Sequence, residues 1–457
     1  MKAQDRASRN ERMLHEPVET LISRLAVPTI ISMLITAVYN MADTYFVSQI
    51  STSASGAVGI VFSAMTLIQA FSFTIGIGTG NHVSRLLGAG DTERAKQYVA
   101  VGWFTGLIFG TLLGLFGLLN LRGIIMTLGA TETIAPYAMD YARYIFIAAP
   151  FMMCSFIMNN MLRFQGLAAY AMVGITTGGI LNMLLDPLFI FGLGMGTGGA
   201  GLATGLSQLT SFLILFGMSN LKKDTISIRF RNFKPSLEIY SKILYTGSPS
   251  LARQGVTSIA TVMLNRTAGP YGDAAIAALS IVSRYTMFIN SVIVGFGQGF
   301  QPVCGFNMGA KQYGRVRKAF YFCVKVSTII LLVLFAISMI FSGKIIGVFR
   351  KDDMDVITMG TFALRAQLLT MPLWGFYVMS NMFSQTAGYG LRASIISAAR
   401  QGICFIPLVL ILPKLFGLNG LLVTQPAADV LAFILSIVLV AGILRQLDEQ
   451  AGSDSKP

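Results

Sequence analysis

Twelve stretches of predominantly apolar residues follow one another along the 457-residue chain, near 26–48, 57–79, 99–119, 140–162, 169–191, 200–219, 247–268, 276–298, 320–342, 364–386, 393–412 and 421–444. Each has the length, about 20 residues, that a helix needs to cross the hydrocarbon of a bilayer. Lipid offers no partner to backbone N–H and C=O groups, so such segments must satisfy themselves as helices. The expected fold is therefore all-α and integral to a membrane, with twelve transmembrane helices. Composition agrees: 54% of residues are hydrophobic and only 12% charged, too little charge to cover a soluble surface.

The formal net charge of +14 would suggest nucleic acid in a soluble chain. Here the basic residues stand in the short gaps between apolar stretches, where they report topology, so no nucleic-acid partner is expected. An even number of spans puts both termini on one side. That side, with the loops that connect even to odd spans, holds 22 of the 34 Lys and Arg residues, and the other side holds 7, including Arg122, Arg143, Lys344, Arg350, Lys351, Arg365 and Lys414. Positive charge stays inside, so both termini are expected in the cytoplasm. The first residues, 1–24, are polar and carry no signal-peptide apolar core. Cys154, Cys304, Cys323 and Cys404 lie inside apolar segments without paired spacing, and His15 and His82 form no metal pattern.

The chain repeats itself. At a shift of 221, Pro28 meets Pro249, Gly76 and Gly78 meet Gly297 and Gly299, Gly88-Ala89 meets Gly309-Ala310, Arg94 meets Arg315 and Lys96 meets Arg317. At 222, Pro150 meets Pro372, Asn159 meets Asn381 and Gly166 meets Gly388. Six spans per half keep the two halves in the same orientation, a parallel repeat about an axis along the membrane normal. The expected divisions are a segment 1–24, an amino-terminal lobe 25–219, a linker 220–245 that crosses between lobes, a carboxy-terminal lobe 246–445 and a tail 446–457. Two such lobes enclose a cleft that rocking exposes to alternate sides.

The stretches VSRLLGAGDTERAKQ (83–97) and CGFNMGAKQYGRVRKA (304–319), with YNMADTYFVSQI (39–50) and LNMLLDPLFIFG (181–192), resemble the multidrug and toxic compound extrusion (MATE) family, in particular its bacterial DinF-like and MepA-like branch. The resemblance runs over about 25–445. It implies a V-shaped twelve-helix antiporter of the bacterial inner membrane that exports amphipathic, often cationic drug-like molecules as protons or sodium enter, and so contributes to antibiotic resistance. It implies no enzyme activity, no cofactor, and lipids and small molecules as partners of a monomer. It carries the coupling role onto Asp43 and Asp186, with Asn182 and Asn40 beside them.

The residues themselves support that assignment. Asp43 and Asp186 are the carboxylates well inside the amino-terminal spans. An ionised Asp at mid-membrane costs about 2.5–3.5 kcal/mol, which favours the protonated form. Asn182 precedes Asp186 by one helical turn and Asn40 precedes Asp43 by three residues, so an amide shares each acid's face. The same oxygen cluster at Asp43, Asp186 and Asn182 suits Na⁺. The alternative is a buried polar cluster that only tethers spans 1 and 5. Pro187 withdraws a backbone donor next to Asp186, so span 5 is expected to bend there.

The carboxy-terminal spans carry Arg253, Arg266, Arg284, Lys325 and Arg400. Arg266 and Lys325 stand near span ends and are expected to snorkel. Arg253, Arg284 and Arg400 stand deeper and are expected to line the cleft, pair with Asp429 or bind carbonyls. No acid stands in spans 7, 8 or 10, where another branch of the family holds its cation site, and the basic lobe admits an anionic cargo. Asn159, followed by Asn160, occupies a position that the resemblance makes acidic in MepA-like proteins. Met153, Phe156, Met287, Phe288 and Tyr377 are candidate lining residues, Met and aromatic surfaces being adaptable. The glycine-rich GIGTGN (76–81) and GLGMGTGGAG (192–201) lack the lysine of a phosphate loop and are expected to serve packing or turns. A lipid-linked intermediate flippase of related architecture is the alternative function. A membrane enzyme lacks its His, Cys or acid constellation, and a channel lacks a ring of pore-lining charge.

Overall fold

The computed structural model describes residues 2–222, 224–349 and 354–454. Lys223, Arg350, Lys351 and Lys456, used above for topology, lie outside them. The described residues form helices and connecting turns without a strand. A short α1 (Lys2–His15) precedes the amino-terminal lobe, which comprises α2 (Val18–Ser48), α3 (Thr52–Gly88), α4 (Thr92–Leu119), the short α5 (Leu121–Thr127), α6 (Ala135–Phe164), α7 (Ala168–Pro187) and α8 (Gly196–Leu221). The carboxy-terminal lobe comprises α9 (Leu237–Ala268), α10 (Asp273–Gly309), α11 (Tyr313–Phe349), α12 (Met354–Thr386), α13 (Gly390–Ala398), α14 (Phe405–Leu422) and α15 (Thr424–Asp454).

Among the described residues eleven helical segments are long and apolar enough to cross a bilayer. The remaining expected span, 247–268, lies within α9, which has 32 residues but carries Arg253 among serines and threonines. It packs against α3 and α13, with Gly247 set against Thr74 of α3. Span 11 is α13 and α14 joined by a π turn at Ala399–Ile403. Lys325 lines a surface recess with Glu19, Arg317 and Lys318, and Arg266 lies in the last turn of α9.

The repeat is visible in detail. Pro28 and Pro249 stand inside α2 and α9, and Pro150 and Pro372 inside α6 and α12. Gly166 and Gly388, just past α6 and α12, adopt φ of 78° and 95°, a left-handed conformation open to glycine without steric cost. Asn159 donates to the Ala171 carbonyl at 3.0 Å, and Asn381 donates to the Ala393 carbonyl at 2.9 Å. The same bond thus ties equivalent helices in each lobe.

The lobes meet across α2 and α10 and across α3 and α9. Any side chain at Gly88 would strike the Phe306 carbonyl, and one at Gly309 the Arg85 carbonyl. Gly78 lies against Ile243, Gly247 against Thr74, and Gly295 and Gly299 against Ile30 and Ala26. Small residues allow this backbone approach, the packing role expected of GIGTGN. Thr29 Oγ1 donates to the Gly295 carbonyl at 2.6 Å, and Arg163 donates to Gln301 Oε1 at 2.7 Å. These contacts cluster at the ends of the helices nearest α1. Further along the same helix faces Met41 on α2, Leu67 on α3 and Phe288 on α10 are exposed, so the lobes part there.

Two connecting segments are docked. On α1, Met13 is buried and its carbonyl accepts from Asn307, Arg9 donates to the Asp224 carbonyl at 2.6 Å, and Arg315 donates to the nearby Glu16 carbonyl at 2.6 Å. The segment therefore touches both lobes at their closed end. The linker, expected as a crossing tether, lies on α4: Phe230 and Phe233 both pack on Phe104, and Ile226 N–H donates to Gln165 Oε1 at 2.9 Å.

Candidate functional site

The amino-terminal lobe holds its acids against a helix built to come close. On α7 the buried positions include Gly174, Gly178, Asn182 and Asp186, spaced one turn apart, with Gly179 beside them. Gly178 meets Ser211 of α8, and Gly179 meets Ile35 and Tyr39 of α2. Glycine on this stripe brings α7 near enough to α2 and α8 for short polar side chains to reach across.

Asp186 is fully buried. Its Oδ1 accepts from Asn182 Nδ2 at 3.3 Å, and Asn182 Nδ2 also reaches Thr204 Oγ1 of α8 at 3.3 Å. Asp43 is half-buried and its Oδ2 accepts from the Tyr141 hydroxyl of α6 at 2.8 Å. Asp43, Asn40, Tyr39, Tyr141, Asn182 and Thr204 line one small cavity of about 10 Å³, room for about one water. Asn182, which donates to Asp186, lines the same cavity as Asp43 and so joins the two acids.

The cluster has more acceptors than donors. Asp43 Oδ1, Asp186 Oδ2 and Asn182 Oδ1 are buried and without a hydrogen-bond partner among the described residues. Each such group costs about 1–3 kcal/mol. A proton on a carboxyl turns an acceptor into a donor, and a small cation gives the oxygens a common partner. Either change removes the deficit. Beside the expected bend at Pro187, α7 passes into a π turn over Leu188–Gly192, closed by Leu193 N–H to the Leu188 carbonyl at 2.9 Å. The glycine-rich stretch after it makes turns at Gly194 and Gly196 and lets Gly199 approach Phe189.

Several other sequence candidates are placed elsewhere. Asn160 is buried and bonded within α6, donating to the Phe156 carbonyl and accepting from Arg163, while Asn159 ties α6 to the α7 backbone. Met153 sits in the packed core beside Gly110 of α4, which corrects its expected place in an open cleft. Phe156 is buried too, inside the lobe near Asn182 and Gln208. Tyr377 donates to the Ile396 carbonyl at 2.9 Å within the carboxy-terminal lobe, and Arg253 lies near it. Arg400, in the π turn of span 11, pairs with Asp429 at 2.7 Å, one of the roles expected of it. Met287, Phe288 and Arg284 are exposed on α10. Tyr141 and Thr204 were absent from the sequence candidates. Their signal was weak, a tyrosine in span 4 opposite the small residues 198–201, where Gly201 abuts the Tyr141 carbonyl. Among the described residues no three His, Cys, Asp or Glu side chains group as a metal site.

The MatE family model matches the chain twice, over residues 28–188 and 249–411, one match in each half. The multidrug export protein MepA of Staphylococcus aureus (strain MSSA476) is 27% identical over 431 residues, spanning 93% of this chain and 94% of that protein. The MepA of Staphylococcus saprophyticus is 27% identical over 420 residues, 91% and 92% of the two chains. Among solved structures, an outward-facing multidrug resistance MATE transporter of the MOP superfamily superposes with a TM-score of 0.90 at 28% identity, covering 95% of this chain and 98% of that one. A MOP superfamily transporter of Pyrococcus furiosus, described as having a binding pocket of reverse polarity, gives 0.90 at 28% identity over 96% and 98%. With a repeat in which each half carries the family pattern and a fold shared over nearly its whole length, this chain belongs to the MatE family as a MepA-like, multi-pass membrane transporter and not an enzyme.

Proposed function

We propose that this protein exports amphipathic small molecules from a bacterial cytoplasm in exchange for protons, with Na⁺ as the alternative ion, by alternating access. The observation that carries this reading is the deficit of donors at Asp43, Asp186 and Asn182, at a point where α7 turns π-helical. Protonation supplies the missing donor and changes the hydrogen bonding around Asn182, which links α7 to α8, and around Asp43, which links α2 to α6. A π turn is a weakly held piece of helix, so it is where such a change bends the lobe. The MepA relatives, named as multidrug export proteins, support the direction and breadth of transport. The basic residues of the loops support cytoplasmic termini, and with them the closed end bearing α1 faces the cytoplasm and the parted ends face outward. One charge crossing 100 mV releases about 2.3 kcal/mol, which sustains a gradient of roughly fifty-fold.

Dye efflux from cells expressing the wild type, Asp43→Asn and Asp186→Asn tests it, with and without Na⁺ and with a protonophore. Efflux is expected to fall in both variants. Sensitivity to the protonophore alone assigns protons, and dependence on Na⁺ alone assigns sodium. Full efflux by both variants removes the coupling role.

A further inference from the structure

The cleft between the lobes carries its own charge signal. On α10, Gly295 and Gly299 touch α2 of the other lobe. At 100° per residue, Arg284 and Phe288 fall within about 60° of those glycines and so lie on the same face of the helix. Arg284 is 11 residues before Gly295, about 16 Å along the helix, in the region where the lobes have parted. The face that seals the closed end therefore continues into the opening as Arg284 and Phe288. Opposite, Met41 continues the α2 stripe of Ala26 and Ile30, and Leu67 continues the α3 stripe of Thr74 and Gly78. Met41, Leu67 and Phe288 are all exposed.

Arg284 is exposed, and among the described residues no hydrogen bond or ion pair holds its guanidinium. Arg253, half-buried near Tyr377 in the same lobe, has no acid partner either. The one acid of that lobe's spans, Asp429, is engaged by Arg400 at 2.7 Å. Asp43 and Asp186 do not offset Arg284 in the opening: Asp43 faces the lobe's internal cavity under Tyr141, too small for cargo, and Asp186 is buried.

We propose that the cleft binds an amphipathic organic anion, with Arg284 reading its charge and Phe288, Met41 and Leu67 covering its apolar body. This rests on the efflux reading and gives its substrate class. A guanidinium with no protein acid nearby forms strong paired hydrogen bonds to carboxylate, sulfonate or phosphate, while the apolar stripes supply area without specificity. Cargo and coupling ion then use separate lobes. The carboxyls take the ion in one, and the anion is held on the wall of the other.

Two xanthene dyes of opposite charge test the site by fluorescence polarisation on the purified full chain at alkaline pH. Fluorescein is the anion and rhodamine 123 the cation. The wild type is expected to bind fluorescein more tightly. Arg284→Ala is expected to weaken fluorescein at least about ten-fold while leaving rhodamine 123 unchanged or tighter, and Arg284→Lys to retain most of the affinity. Asp186→Asn is expected to keep fluorescein binding, so failure of transport and failure of this site remain distinguishable. Preference for rhodamine 123 in the wild type, or unchanged fluorescein affinity in Arg284→Ala, overturns the proposal. Displacement of fluorescein by dihexanoyl phosphatidylglycerol assigns the anion to a lipid headgroup, and no displacement assigns it to soluble organic anions.

Discussion

Each lobe buries an aspartate in its membrane spans, and the two are treated in opposite ways. Asp429, on α15, accepts from Gln367 at 2.5 Å, Trp374 at 2.7 Å, Thr370 at 3.2 Å and Gln425 at 3.0 Å, and it pairs with Arg400 at 2.7 Å. Arg400 also lies 4.3 Å over the Trp374 ring. Asp186, on α7, accepts from Asn182 at 3.3 Å and has a second oxygen with no partner among the described residues. A carboxylate surrounded by donors and paired with a guanidinium has every need met and fixes α12, α15 and the span 11 π turn together. A carboxyl short of donors gains from binding a proton or a small cation. The same residue type is thus a structural fastener in one lobe and a chargeable group in the other, and its hydrogen-bond partners make the difference.

Exchanging the charge at the two acids is the sharpest way to break this contrast. Asp186→Asn is expected to reduce coupled efflux by roughly 100-fold, the scale of losing a positioned proton-transfer group, with thermal unfolding in detergent nearly unchanged. Asp429→Ala leaves Arg400 buried without its counter-charge and is expected to cost about 3 kcal/mol, read as a lowered unfolding midpoint. If Asp186→Asn unfolds the protein instead and Asp429→Ala stops transport without destabilising it, the roles are reversed. Gly309→Val drives a side chain into the Arg85 carbonyl. It is expected to open the closed end and cut efflux about ten-fold, with greater cysteine-reagent access to a reporter at that end. Tyr141→Phe removes the donor to Asp43 alone. It is expected to cost about 1 kcal/mol, a several-fold loss of efflux with a changed pH dependence, and no effect there would separate Asp43 from the coupling cluster.

The repeat was legible because prolines and glycines act locally: Pro28 and Pro249, or Gly166 and Gly388, impose the same backbone wherever they recur. Asp43, Asp186 and Asn182 were legible because polar groups in apolar spans are costly and few. Tyr141 and Thr204 were not, since a single tyrosine or threonine in an apolar stretch gives no direction. Met153 and Phe156 were misread for a related reason. Apolar side chains facing lipid, core or cleft look alike in sequence, and burial in the fold is what takes these two out of the cleft. Arg400 was open between cleft and Asp429 until the turn of span 11 brought it within 2.7 Å of that carboxyl.

Span length, apolarity and the recurrence of backbone-restricting residues are all read along the chain, and they already specify a twelve-span helical protein with two like-oriented halves. Only the tertiary structure decided which acid is free to change charge. Asp43 meets Tyr141 98 residues away, and Asp186 keeps an unpartnered oxygen only because of how α7 lies against α2 and α8. Hydrogen-bond satisfaction is a property of neighbours in space, and no local pattern of residues encodes it.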